Sequence, residues 1–453
     1  MTIFIESMKV KGVKGSMRKI LAVFLIIFSS NLFAADYAEG MDYYKAGNYP
    51  KAFRVFFKLA KTGDVESQFQ LGYMYMHAEA VPKNMVKAVK WFEKAAEQNH
   101  SAAQINLAVI YHNGKQGVPQ NYKLAFEWYK KSAESGNVTA MRNLGEMYEK
   151  GTAVKQSYSK AARWYKRAAK QGDAVSHHYL AILYLNGYGV RHSDKRAMML
   201  FTKAIELGNI GSHRYLGAMY FEGWGVDKDI EKALDHYQQA ADNGDGVSQY
   251  RIGYAYENAL LSKEPDMRNA LKWYEKAADN NDPDGQYNVG RFYKEGIVVS
   301  QNDQRAFGWF YRAAEKEQPD ACYELGMMYL NGIGVDRDFM RSVNWITKGA
   351  DLNHVQASYK LANMYKKGEG VIKNMSKAYK YYLVAAEAGI ADAQYNVGRI
   401  FHRGLGGVNR DVVEAVNWWT KAADQGHKMA LKKLRKIDVI TSQQYMKKSK
   451  KTK

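Results

Sequence analysis

The chain is poor in the residues that would tie it into other architectures. A single cysteine, Cys322, in 453 residues excludes an intrachain disulfide framework. Six prolines beside 46% hydrophobic residues suit a helical globular chain rather than a disordered one. No H-E-x-x-H, no G-x-x-x-x-G-K-[ST] and no clustered Cys/His spacing occurs, so metalloprotease, P-loop and zinc-finger chemistry have no support. The one apolar run near the start, Ile20–Phe28, is too short for a comfortable transmembrane helix.

What is present is repetition. Leu71-Gly72-Tyr73-Met74-Tyr75 returns as Leu144-Gly145-Glu146-Met147-Tyr148, Leu216-Gly217-Ala218-Met219-Tyr220 and Leu325-Gly326-Met327-Met328-Tyr329. Softer copies begin at Leu107, Leu180, Ile252, Val289, Leu361 and Val397, which makes ten at intervals of 36 or 37 residues. A fixed period of that length marks a stack of small modules and moves the functional question from a pocket to a long binding surface.

Each period carries a second signature, as in Ala88-Val89-Lys90-Trp91-Phe92, Ala270-Leu271-Lys272-Trp273-Tyr274 and Ala415-Val416-Asn417-Trp418-Trp419. Apolar residues in both signatures fall at i, i+3, i+4 and i+7, the spacing of an amphipathic helix. The first signature is helix A and the second helix B. Four residues before each helix A Leu stands nothing larger than Ser (Ser67, Ala103, Ala140, Ser176, Ser212, Ser248, Gly285, Ala321, Ala357, Ala393), as close helix approach requires. The Gly after the Leu serves the same need despite its cost in helix propensity. Loops such as Asn186-Gly187-Tyr188-Gly189-Val190 and Asn331-Gly332-Ile333-Gly334-Val335 suit helix C-caps and positive-φ turns. Helices of about 12–14 residues are marginal alone, so stability comes from stacking one pair on the next.

These motifs together resemble the Sel-one-like repeat family, relatives of the tetratricopeptide repeats. The family unit is similar to A-x-x-x-L-G-x-x-Y, then G-x-G-V, then A-x-x-W-Y-x-x-A-A-x-x-G. Ala393-Gln394-Tyr395-Asn396-Val397-Gly398, Gly368-Glu369-Gly370-Val371 and Ala168-Ala169-Lys170-Gln171-Gly172 carry that pattern. The resemblance covers roughly Asp36 to Leu434. It implies an all-α, right-handed α/α superhelical solenoid of ten to eleven two-helix repeats with a scaffold or adaptor role. Some units depart from the pattern. Leu200 and His236 replace the helix B Trp, and Asn258-Ala259-Leu260-Leu261 lacks the loop glycines, which suggests a local change of curvature.

The expected organisation is a signal peptide over 1–35, a degenerate capping repeat over 36–62 and ten repeats over 63–426. A capping helix over 427–445 and a basic disordered tail over 446–453 complete it. Met17-Arg18-Lys19, the run Ile20–Phe28 and Ala34-Ala35 read as basic region, apolar core and cleavage site, with Met17 as the initiator. The absence of a Cys after the core argues against a lipoprotein anchor. The expectation is therefore an exported chain, periplasmic or secreted.

The net charge of +20 is unevenly placed. The segment from Lys428 onward has ten Lys or Arg against Asp438 alone. Export argues against nucleic acid, and the tail fits weak contact with an anionic envelope surface.

Cysteine-rich members of the family are reported to bind or hydrolyse penicillin-like substrates. Ser157-Tyr158-Ser159-Lys160 and Lys61-Thr62-Gly63 match S-x-x-K and K-T-G on paper, but neither has the needed context beside a β-strand. His177 and His213, in the same column of adjacent repeats, read as polar surface residues. No catalytic residue, metal or cofactor is assigned.

The resemblance also places a binding groove. In tetratricopeptide-type units helix A lines it, at positions two before and two and five after the Leu. Carried over, this yields Arg142, Arg214, Tyr250, Tyr254, Tyr287, Arg291, Lys294, Tyr323, Tyr359, Asn363, Tyr395 and Arg399, with His178 and Lys366 in the same columns. Tyr and Arg are favoured interface anchors. The partner implied is a protein offering an acidic, extended or helical segment. The alternative is a peptidoglycan- or envelope-associated enzyme, or a regulator of one.

Overall fold

The computed structural model describes residues 36–437. Among these the fold is all-α: helices of 10–13 residues alternate with short turns, and the sole extended pairing is the isolated bridge between Lys115 and Val118. The eighth repeat shows how the residues dictate this. Pro319 opens Pro319–Asn331, where a missing N–H costs nothing, and the Gln318 side chain accepts from the Ala321 N–H at 2.6 Å. Gly332, at φ 70°, ends the helix in the left-handed conformation. Helix Phe339–Asp351 then starts on Asp338, whose carboxylate accepts from the Arg341 N–H at 2.9 Å.

One hydrogen bond closes each hairpin. The Tyr that ends the helix A signature offers its carbonyl to the N–H of the helix B cap, as in Asn84 to Tyr75 at 2.9 Å, Asn302 to Tyr293 at 2.8 Å and Asp338 to Tyr329 at 2.9 Å. That bond spans nine residues in most units, but ten between Tyr111 and Asn121, between Tyr256 and Asp266 and, with Phe in the Tyr place, between Phe401 and Asp411. The first two are the units followed by a 37-residue period, so there the extra residue sits in the hairpin loop and leaves the packed helices in register. In the glycine-free loop Ala259 takes the left-handed turn at φ 54°.

Packing divides the chain into two compact units, residues up to Ser212 and residues from His213 onward. Each is a run of the same hairpins. The first begins with a pair formed by residues 36–45 and Tyr49–Lys61, turning at Gly47, with Tyr37 against Phe56. The second ends with helix 428–437, which lays Leu434 and Ile437 against the cluster of Ala415, Trp419 and Ala430. The expected signal peptide, residues 438–445 of the expected capping helix and the basic tail lie outside the described residues.

The small column behaves as expected. Ser67, Ala103, Ala140, Ser176, Ser212, Ser248, Ala321, Ala357 and Ala393 are all fully buried. At Gly285 an added Cβ would stand 2.6 Å from the Ala277 Cβ. The glycine after the Leu works differently from the close backbone approach expected of it. Its space goes mainly to a helix B ring, with Gly145 facing Tyr165, Gly253 facing Tyr274 and Gly290 facing Phe310.

Candidate protein-binding face

Within each unit the groove columns fall along helix A, Arg142 in the first unit and the other eleven in the second, and all twelve named residues are half-buried. The residue two before the Leu reaches the N-cap residue of the next helix A. Arg142 meets Asp173 at 2.8 Å and Arg214 meets Asp245 at 3.2 Å, while each aspartate also caps its own helix. Tyr323 stacks on His354 with ring centroids 4.8 Å apart, and Tyr395 on His427 at 4.7 Å. Both histidines cap through Nδ1, accepting from Ala357 and Ala430, so Nε2 carries the proton and faces Asp320 or Asp392. The row is thus a series of clasps between repeats. Its charged and aromatic members are shared between holding the stack and facing outward.

The other columns add detail. Arg291 pairs with Glu257 and bonds Asn288, and Lys294 meets Glu324 at 2.6 Å. Tyr250 stacks on Tyr274 at 5.8 Å, with Tyr254 beside it, and Tyr287 lies against Phe310 at 5.7 Å. Burial pushes the hydroxyls of Tyr250 and Tyr287 up to about 12, so both stay neutral donors. Asn363 accepts from the Tyr382 hydroxyl at 2.6 Å, and Tyr359 flanks the same ring at 6.0 Å.

Arg399 differs from the other cations of the row. Among the described residues it has no carboxylate partner and rests only on the Tyr395 ring, 5.9 Å from its centroid. Lys366, one column away, donates to Asn396 at 3.0 Å, and its ammonium is held below the ordinary lysine value by burial and by nearby Arg399.

Asp282 lies behind Tyr250 as the cap of Pro283–Glu295, bonding the Gly285 N–H at 2.7 Å. Burial pushes its carboxyl up to about 6. A carboxyl raised in the folded state holds its proton more tightly there, so it costs stability above that value and the cost fades as pH falls toward about 4. Asp282→Asn keeps a good cap and is expected to stabilise by on the order of 1–3 kcal/mol at pH 7. In urea titrations, the gain over wild type should shrink at pH 4.5; an equal gain at both values removes the assignment.

Several columns escaped the sequence reading. Gln68, Gln104, Gln249, Gln286 and Gln394, three before the Leu, each donate to a carbonyl at the end of the preceding helix B, between 3.0 and 3.2 Å. Cys322 fills this column in its own repeat, its Sγ facing the Ala314 carbonyl at 3.7 Å, and burial pushes the thiol up to about 11. On helix B each Trp carries a cation three residues on, as in Trp91 with Lys94, Trp164 with Arg167 and Trp273 with Lys276, at 3.8 to 4.3 Å. Comparing columns across units would have exposed both. Ser157 caps Tyr158–Ala169, and Lys61-Thr62-Gly63 closes Tyr49–Lys61, so both paper motifs do structural work. His177 turns Nδ1 to the Asp173 carbonyl at 2.9 Å, so it is half-buried rather than a free surface residue.

This geometry coincides with a known repeat. The family model described as Sel1 repeat matches ten times, at residues 65–100, 101–137, 138–173, 174–209, 211–245, 246–282, 283–317, 319–354, 355–390 and 391–427. The chain belongs to the Sel1-repeat family. Among solved structures it is similar to c5321, a protective antigen of uropathogenic Escherichia coli with an SLR fold. That match has 30% identity and a TM-score of 0.64, and covers 93% of this chain and 91% of that one. A Sel1 repeat protein from Oxalobacter formigenes is 29% identical over 73% of this chain and 93% of its own, with a TM-score of 0.49. An F-box protein of Arabidopsis thaliana is 34% identical over 106 residues, which are 23% of this chain and 29% of that protein. The Sel1 chain thus spans under a third of the length of the curated relatives it matches. Sel1 repeats typically serve protein–protein interaction, which directs attention to the helix A row.

Proposed function

We propose that this Sel1-repeat protein is an exported adaptor that holds an acidic segment of a partner protein on its helix A face. Tyr359, Asn363, Lys366, Tyr395 and Arg399 are its anchor. One observation carries the reading. Arg142, Arg214, Arg291 and Lys294 each have a carboxylate of this chain beside them, whereas Lys366 and Arg399 lie near each other with none among the described residues. Two neighbouring half-buried cations gain from an incoming carboxylate, which supplies what Asp173, Asp245, Glu257 and Glu324 supply elsewhere. Tyr359 and Tyr395 flank them with large, rigid contact area. Within the unit from His213 onward, the remaining cations and tyrosines of the row extend the surface. Export rests on the basic, apolar and small-residue succession from Met17 to Ala35.

The test uses fluorescence anisotropy with labelled peptides of equal length, acidic or with Asp and Glu replaced by Asn and Gln. Acidic peptides should bind more tightly, with affinity falling as salt rises. Lys366→Gln with Arg399→Gln should weaken them at least about tenfold, a loss of roughly 1.4 kcal/mol. Equal affinity in the folded double variant removes the anchor. Retention of the unprocessed chain in the cytoplasm on cell fractionation removes export.

A further inference from the structure

Ten copies of one unit make each repeat a control for the others, and the fifth departs at two columns together. Three before the Leu, where five of the ten units carry Gln, it has His213. At the helix B Trp position it has His236. No other repeat places histidine in both columns. The structure brings these two side chains into contact, with Nδ1 of His213 2.9 Å from Nδ1 of His236 and the rings tilted at 45°. His213 is therefore half-buried in a pair rather than the isolated surface residue its sequence suggests.

The surroundings hold the pair in place. Tyr220 stacks on His236, 5.7 Å between centroids at 15°, and the Lys232 ammonium lies over the far ring at 5.6 Å. Asp235 is the acidic group that acts on both imidazoles, yet burial dominates and favours their neutral forms. Two neutral imidazoles in contact through Nδ1 hold one proton between two nitrogens. If the donor ring shifts that proton to its own Nε2, both Nδ1 lone pairs are freed and face each other across 2.9 Å, with no net proton released.

We propose that His213 and His236 form a two-imidazole site for a divalent transition-metal ion of borderline softness, with Cu2+ the best fit. Bonds of about 2.0–2.1 Å from nitrogens that far apart meet at roughly 90°, the cis angle of tetragonal Cu2+. Tetrahedral Zn2+ would force the rings apart. Among the described residues no group of three or more His, Cys, Asp or Glu gathers to hold a metal, so the other positions fall to water or to Asp235 if it swings inward.

The repeats supply the control variants. His213→Gln and His236→Trp install residues that the same columns carry in sister units, such as Gln249 and Trp273, so the packing has precedent within the chain. Cu2+ titrated into the full chain should occupy one site at least tenfold more tightly than it does in either variant. Electron paramagnetic resonance of that site should show two nitrogen ligands, lost in both variants. Cu2+ should also raise the wild-type unfolding midpoint and leave the His213→Gln midpoint unchanged. Affinity within threefold across all three proteins would mean that the ion rests on other histidines, and would overturn the site. Should His236→Trp fail to fold by circular dichroism, His213→Gln decides alone.

Discussion

Gly334→Ala is expected to destabilise the protein by about 2–4 kcal/mol, combining a left-handed backbone with overpacking. Gly334 sits at φ 67°, and an added Cβ would stand 2.4 Å from the Asp303 carbonyl oxygen, which belongs to the backbone opening the preceding helix B. No side-chain rotation relieves that contact, so the loop or the neighbouring helix must move. Gly406 meets the Met375 carbonyl in the same way at 2.7 Å. Three sister units hold a non-glycine residue at this position, Ala80 at φ 60°, Ala153 at φ 62° and Val298 at φ 52°, the last with a β-branched side chain. Val298→Gly relieves that strain and is expected to gain about 1 kcal/mol. Urea unfolding of the two variants should move the midpoint in opposite directions, and a shared direction would mean that the loop is not set by its backbone.

The second large effect is Leu325→Ala, expected to cost about 2–5 kcal/mol as a fully buried deletion. Leu325 lies in a cluster with Ala306, Phe310, Ala313, Met328 and Tyr329, drawn from two successive repeats. The loss therefore weakens both a hairpin and its junction with the previous one. Tyr323→Ala, two residues earlier on the half-buried face, removes one stacking contact with His354 and should cost markedly less. Similar losses from the two in urea unfolding would mean that the facing of helix A is wrong.

The architecture was legible because burial follows one register. The Leu column, the small residue four before it and the helix B aromatics all mark a face, and local spacing is enough to find a face. The candidate row was legible as positions but not as contacts. Nothing in Arg142 or Tyr323 alone reveals that each reaches the cap of the following unit, 31 residues on. That requires the rise and turn from one hairpin to the next. For the same reason the nearness of Lys366 to Arg399 was invisible, since it is the missing acid in a neighbouring repeat that sets them apart. The meeting of His213 with His236 appears only when helix B folds back along helix A. The Trp and cation pairs are different, because three residues on one helix is a local spacing, and reading down the column would have shown them.

The buried Cys322 has a practical consequence. Its thiol is sealed between two repeats, and its raised pKa keeps it protonated at neutral pH, so an alkylating reagent meets no reactive sulfur while that junction stays closed. Because the chain has no second cysteine, the speed of modification becomes a clock for how often its eighth module breathes away from the seventh. A partner gripping both modules would slow that clock without touching the sulfur.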